Sequence, residues 1–255
     1  GQSLEKAKLH LSRYLWQYRQ HRSKRRVEDK TEPLKLEYQK HKDADDLQAA
    51  MKIKGEIEAV HKEEKERLVA VDTALLVLYI GFTWEKRKKS TMTEEEQDIL
   101  DKLPIQRLSE LLLPSNNCAL HECEIFLQEG VGKPQESAHA LLLMSKGRYA
   151  EALEIWHDLS TGKRREKGCD GIEPTIDLLC RVSVPSKELD SKLLWFHAKW
   201  VIEANAREGM RIFTTDARTP PLEPDQVLSF LASITNADPG VDLKEIYLEH
   251  LSQHN

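Results

Sequence analysis

Glycine and proline are scarce in this chain, at 11 and 10 residues out of 255, and aromatic residues make up only 6% of it. β-Branched residues hardly ever alternate with polar ones. These shortages exclude a protein built from short strands and tight hairpin turns. No apolar run reaches the roughly 20 residues that a membrane-spanning helix takes, and no signal peptide is recognisable. The four cysteines, Cys118, Cys123, Cys169 and Cys180, form no C-x-x-C pair, so they read as reduced thiols of a cytosolic protein. There is no phosphate-binding glycine loop, no G-x-S-x-G, no H-E-x-x-H and no paired-carboxylate motif, which leaves no catalytic signature. The formal net charge of -5 and the isoelectric point near 6.1 give no overall pull toward nucleic acid or anionic lipid.

What the chain does have is helical patterning. Charged residues make up 32% and the mean hydropathy is -0.57, polar for a compact globule but ordinary for a helical array with much surface. The most apolar stretch, Leu68 to Tyr79 (LVAVDTALLVLY), follows the charged run Lys62 to Arg67 and holds a single acid, Asp72. It predicts a helix buried on most of its surface. Upstream, Leu4, Ala7, Leu11, Leu15 and Tyr18 recur at helical spacing, so residues 2–28 are expected to form one amphipathic helix ending in HRSKRR. Residues 29–52 are polar, lack a clear period and contain Pro33, and they read as a loop or insertion. A long helical pattern resumes from about Asp45 to Ile80, with Gly55 as a weak point. Thr93 is expected to cap a short helix that opens on Glu94, Glu95 and Glu96. Pro104 opens another helix, ended by Pro114.

From there the rhythm is regular. Helices are expected at about 118–129, 134–146, 148–160, 173–182, 187–204, 206–213, 223–235 and 241–252. Short antiparallel helices joined by brief turns predict an all-α fold, an α-solenoid of helix hairpins in which each hairpin buries its face on its neighbours. The sharpest local signal is Ala140 to Leu159, ALLLMSKGRYAEALEIWHDL. Small Ala140 and Ala152 allow two helices to approach, Gly147 makes the turn, and Tyr149 and Trp156 fill the groove. This resembles the second half of a tetratricopeptide repeat, but no strict 34-residue period runs through the chain. The chain opens on Gly1 rather than Met, which reads as the scar of a cleaved tag, and residues 1–255 are expected to be one solenoid fragment of a longer protein.

Several clusters invite a chemical reading. Cys118, His121 and Cys123 carry zinc-ligand types, but the spacing is not that of a zinc knuckle, and the plainer reading is packed thiols. His197 lies between Trp195 and Trp200 without a recognisable nucleophile or acid, and reads as a packing histidine in an aromatic cluster. Lys24-Arg25-Arg26, Lys86 to Lys89 and Lys163-Arg164-Arg165 are basic; each ends an expected helix, where cations suit the dipole. Asp72 reads as an acid that caps or pairs locally at a helix junction. No residue is assigned to catalysis, to a cofactor or to a metal, and no partner-binding residue is assigned.

Six segments in order carry a family resemblance: VDTALLVLY (Val71 to Tyr79), LLLPSNNCALHECEIFL (Leu111 to Leu127), SKGRYAEALEIWHDL (Ser145 to Leu159), WFHAKWVIEANAREGMRIFTTD (Trp195 to Asp216), LEPDQVLSFL (Leu222 to Leu231) and YLEHL (Tyr247 to Leu251). Their order and spacing resemble the vacuolar protein sorting 39 / vacuolar protein sorting 3 family, which includes the TGF-β-receptor-associated protein. The resemblance runs from YLWQYR in the first helix to the last residues, and is poorest over 29–60. It implies a central piece of a clathrin-heavy-chain-repeat α-solenoid, a non-enzymatic scaffold of the HOPS and CORVET tethers at endosomal and vacuolar or lysosomal membranes. The implied partners are the core subunits of those tethers, with Rab GTPases engaged through regions outside this chain and no nucleic acid. Membrane association would be peripheral, through the complex. Trp156 in ALEIWHDL, and Trp195 followed by AKWV, lean toward the vacuolar protein sorting 3 branch, hence CORVET. The rival reading is a helical-repeat adaptor for another protein or peptide.

Overall fold

The structure, a computed structural model, describes residues 2–86, 108–112, 116–129, 134–166, 169–181, 191–215, 221–235, 238 and 240–254. Among them the fold is all-α: there is no strand, and one isolated bridge pairs Glu166 with Cys169. The chain expected as one solenoid fragment clusters into two compact units, Gly1–Pro134 and Gln135–Asn255.

In the first unit, α1 (Gln2–Gln17) runs through a π-helical turn (Tyr18–Arg22) into α2 (Ser23–Asp43). A short turn at residues 44–46 then leads to the 40-residue α3 (Leu47–Lys86). Asp45 takes a left-handed φ of 59° in that turn, a conformation short polar side chains tolerate. The expected loop at 29–52 is therefore corrected: residues 29–43 are helix, and 47–52 begin the next one. Pro33 sits inside α2 and does not break it.

The reason lies in the covered positions. Along α2 they are Ser23, Val27, Thr31, Leu34, Tyr38 and His41; along α3 they are Ala50, Ile53, Ile57, Val60 and Glu64. Steps of three and four are the seam of a two-stranded coiled coil, here folded as an antiparallel hairpin. Small and polar residues on the α2 side hide that seam from a hydrophobicity scan. α1 is shifted from expectation as well: Ser12 is buried while Leu11 is exposed. Past the hairpin, α3 continues into the core of the unit, where Leu75, Leu76, Tyr79 and Ile80 are buried, as are Leu111 and Leu112 of the helical segment 108–112. α4 (Leu120–Glu129) packs on α3 through its end of the core, with Cys123 and Leu127 buried. The short helix expected after Thr93 lies outside the described residues.

The second unit follows the expected rhythm. α5 (Glu136–Ser145) and α6 (Tyr149–Ser160) form the anticipated hairpin. Gly147 makes the turn at φ 77°, and the backbone N–H groups of Lys146, Gly147 and Arg148 close on the carbonyls of Leu143 and Met144. Ala140, Ala152 and Trp156 are all buried in it. α7 (Ile172–Arg181), α8 (Ser191–Ala204), the single turns α9 (Ala206–Gly209) and α10 (Arg211–Thr214), α11 (Pro224–Ser233) and α12 (Leu243–His254) complete the unit. Their starts are marked in the sequence. Asn205 caps α9 by accepting from the Glu208 N–H, Pro224 opens α11, and Asp242 accepts from the N–H groups of Lys244 and Glu245.

The loop between α6 and α7 is pinned back over the α5–α6 hairpin. Glu166 accepts from both the N–H and the hydroxyl of Ser137 at the start of α5, each at 2.7 Å. Arg164 bridges Glu136 and Asp158. Gly171 closes the loop at φ 75°, so near Trp156 that a β-carbon there would lie 2.2 Å from the Trp156 carbonyl oxygen. Only glycine combines that φ with that approach.

Candidate functional site

Two constellations stand out, one in each unit. In the first, the π-helical turn brings two adjacent residues onto α3. The Tyr18 hydroxyl donates to Glu64 at 2.6 Å, and Arg19 Nε lies 2.8 Å from Asp72 Oδ1. Burial, and then the Glu64 carboxylate, push the Tyr18 phenol up from its ordinary value. Asp72 has no solvent exposure. Its second oxygen accepts from the Asn117 backbone N–H at 2.8 Å and from the Asn117 amide at 3.3 Å. Next to it, Thr73 accepts from the Ala119 N–H at 3.0 Å. Asp72 thus joins the π-helical turn, α3 and the entry to α4. This is the junction role expected of it, reached through a distant partner rather than a local one. Farther along the hairpin Arg26 reaches Glu63 and Glu64, Lys30 reaches Glu63, and Arg67 pairs with Glu63. Pi-helical turns often mark functional positions; here the turn serves an interhelical clamp.

In the second unit α8 carries aromatic residues on two sides. On one side His197, 3% exposed, accepts at Nδ1 from the Trp200 indole N–H at 2.9 Å, which places its own proton on Nε2. Phe196 and His157 meet it edge-on, with centroids at 5.0 and 6.2 Å. Burial, and then His157, hold the His197 imidazole down to about 4, so it is neutral and structural at neutral pH. Phe196 itself is 54% exposed.

On the other side Trp195 leaves that cluster. It stacks on Phe213 at 6.0 Å and packs at a tilt against Phe230 of α11 at 4.7 Å. Trp195, Phe230, Asp225, Gln226 and Ser229 line an open cleft of about 450 Å³ between α8 and α11. The helical period tells the two sides apart: residues three or four apart share a face, and residues two apart do not. His197 with Trp200 is therefore readable as a pair, and Trp195 with His197 is not one.

The remaining candidates resolve simply. Cys118 and Cys123 are buried while His121 is exposed, so the three are not brought together. Among the described residues no group of three or more His, Cys, Asp or Glu side chains is arranged to hold a metal ion. None of the four cysteines is in a disulfide, and burial pushes the Cys169 thiol up, away from the nucleophilic thiolate. Of the basic clusters, Lys24-Arg25-Arg26 lies near the start of α2 rather than at a helix end, and Arg26 is engaged by α3. In Lys163-Arg164-Arg165, Lys163 pairs with Asp158 and Arg164 with Asp158 and Glu136. Residues 87–89 of the third cluster lie outside the described residues. No helix among the described residues is long and apolar enough to cross a membrane.

No protein-family model matches the chain, and no solved structure matches it. Curated proteins do. A transforming growth factor-beta receptor-associated protein 1 homolog of Danio rerio is 28% identical over 186 residues, covering 71% of this chain and 17% of that protein. Its counterpart in Mus musculus is 26% identical over 186 residues with the same coverage. Vacuolar sorting protein 3 of Arabidopsis thaliana is 27% identical over 145 residues, covering 49% of this chain and 14% of that protein. The chain therefore spans about a sixth of the length of the relatives it matches. The resemblance carried by the six segments is real: this all-α chain is similar to a segment of the TGF-β-receptor-associated / vacuolar sorting protein 3 family.

Proposed function

We propose that this chain is a non-catalytic scaffold segment of a membrane-tethering complex subunit, working by protein–protein contact at endosomal or vacuolar membranes. The observation that carries the reading is the similarity to vacuolar sorting protein 3 and the TGF-β-receptor-associated proteins over a chain made of helix hairpins. Within the resemblance, those relatives stand on the CORVET side, as do Trp156 and Trp195, and this favours CORVET over HOPS. In this reading the hairpins stack as a solenoid. A hairpin that packs on its neighbours within a unit resists bending there. The Asp72 clamp and the Glu166–Ser137 pin suit such a role, because they tie elements together with part-buried, charge-assisted hydrogen bonds rather than with exposed surface pairs. The partners would be the core subunits of the tether, with Rab engagement through other parts of the full protein and peripheral attachment to the membrane through the complex.

Co-elution on a sizing column with each HOPS and CORVET core subunit, and with GTP-loaded Rab proteins, tests this. Stable co-elution with a core subunit supports the reading. Binding to none of these, together with capture of an unrelated peptide, favours the adaptor alternative.

A further inference from the structure

We propose that the cleft between α8 and α11 is a docking site for a basic peptide segment, and that it takes an arginine side chain against Trp195 and Phe230 with Asp225 as the counter-charge. Three observations converge on it. The cleft has aromatic walls: Trp195 and Phe230 meet at 4.7 Å with their rings inclined by 40°, leaving indole and phenyl surface on an open cavity of about 450 Å³. Its remaining lining is polar, and Asp225 and Ser229 stand one turn apart on α11 facing the same space. Among the described residues, Asp225 and the nearby Glu223 form no ion pair, unlike Glu63, Glu64, Asp72, Glu136 and Asp158, which are all engaged by internal cations.

The surrounding charge points the same way. From residue 221 onward the sequence holds Glu223, Asp225, Asp238, Asp242, Glu245 and Glu249 against Lys244 alone, six acids to one base. That surplus of five negative charges equals the net charge of the whole chain, so the acidity is concentrated in this stretch. A helix N-terminus favours an acid such as Asp225, but the dipole does not account for aromatic surface left beside it. An aromatic face next to an unpaired carboxylate is the complement of a guanidinium, whose plane stacks on the ring while its N–H fork meets the carboxylate. An ammonium is a compact, strongly hydrated point charge without the guanidinium's plane and fork, and so matches the pair of features less well. The field of the acidic stretch would also draw a basic segment toward the cleft. The site stands on its own geometry and does not require the tether reading.

The test is fluorescence anisotropy on this chain, using a labelled peptide of alternating arginine and serine and a matched peptide with citrulline in place of arginine. Citrulline keeps the shape and removes the charge. The arginine peptide is expected to bind at least about tenfold tighter than the citrulline one. Asp225→Asn should weaken it about tenfold, and Ser229→Arg, which puts a cation into the cleft, should abolish it. Neither residue is buried, and unchanged circular dichroism establishes that the variants fold. Equal binding of the two peptides, or indifference to both substitutions, overturns the proposal. So does an apolar leucine–serine peptide that binds as well as the arginine peptide, or a self-association of the chain that Ser229→Arg removes, since either names a different occupant.

Discussion

Arg19 and Asp72 lie 53 residues apart in sequence and 2.8 Å apart in space, with the carboxylate sealed from solvent and the guanidinium nearly so. A buried charge is tolerable only while its partner and its remaining hydrogen bonds are present. Here Arg19 takes one oxygen and Asn117 the other, so Asp72 is satisfied from both sides. Asp72→Asn leaves the shape and removes the charge, stranding Arg19 beside a neutral amide. The expected loss is about 3 kcal/mol, read by urea unfolding. Arg19→Met should cost a similar amount. The double variant should lose clearly less than the sum, because the second substitution removes a charge already unpaired. Strict additivity would mean that the clamp is not an energetic unit.

How much of this is legible in the sequence follows from where the information sits. The α5–α6 hairpin is readable because its determinants are local: Gly147 for the left-handed turn, Ala140 and Ala152 for the close approach, Trp156 for the groove. The junction role of Asp72 is readable from an acid in an apolar run, but Arg19 is not, since no local spacing encodes a contact over 53 residues. The hairpin at 23–64 escapes a sequence reading because four of the six covered positions named on its α2 side are Ser23, Thr31, Tyr38 and His41. These score as polar, while the facing helix α3 presents the apolar covered positions Ala50, Ile53, Ile57 and Val60. Its three-and-four spacing is present in the sequence, and Pro33 outweighs it. The cleft of Trp195 and Phe230 needs tertiary structure, because its two walls lie on separate helices, α8 and α11.

Pro33 offers a direct check on that corrected segment. Inside a helix, proline lacks the N–H that would bond to the carbonyl four residues back, here that of Asp29, and its ring crowds that turn. Pro33→Ala restores the bond at an exposed position of α2. It should raise stability by up to about 3 kcal/mol and protect the amides around residue 33 from hydrogen exchange. A stability change within about 0.5 kcal/mol would be the result expected of a loop.

Gly171→Ala should be severe for its size. The new β-carbon would meet the carbonyl oxygen, carbonyl carbon and α-carbon of Trp156 at 2.2, 2.7 and 2.8 Å, all of them backbone atoms that cannot rotate away. The left-handed φ adds roughly 1 kcal/mol of its own. The loop must lift from α6, releasing Glu166 from Ser137, so a loss of at least about 2 kcal/mol is expected by thermal melting. Gly162→Ala is the control. It has a similar φ of 74° with nothing within 4 Å, and should show only the smaller conformational cost.

His197 gives the second unit a pH dependence of definite sign. Its imidazole is held down to about 4 in the folded chain, against about 6.5 for an unperturbed histidine. Above about pH 6.5 both folded and unfolded forms are neutral there, and stability is independent of this group. As the pH falls from about 6.5 toward 4, the unfolded chain takes up the proton while the folded chain does not, so folding becomes less favourable by linkage. The full effect is on the order of 3 kcal/mol, developed by about pH 4 and levelling off below it. The carboxylates of Glu151 and Asp158, held below their ordinary values with Arg148, Arg164 and Lys163 alongside, lose their own contributions in a lower window. Subtracting the profile of a His197→Gln variant isolates the histidine. A glutamine side chain cannot take up a proton, so the variant should lack the wild-type slope between about pH 6.5 and 4, whatever its absolute stability. Parallel profiles for the two proteins across that window would mean that His197 titrates normally and is not sealed by Trp200, Phe196 and His157.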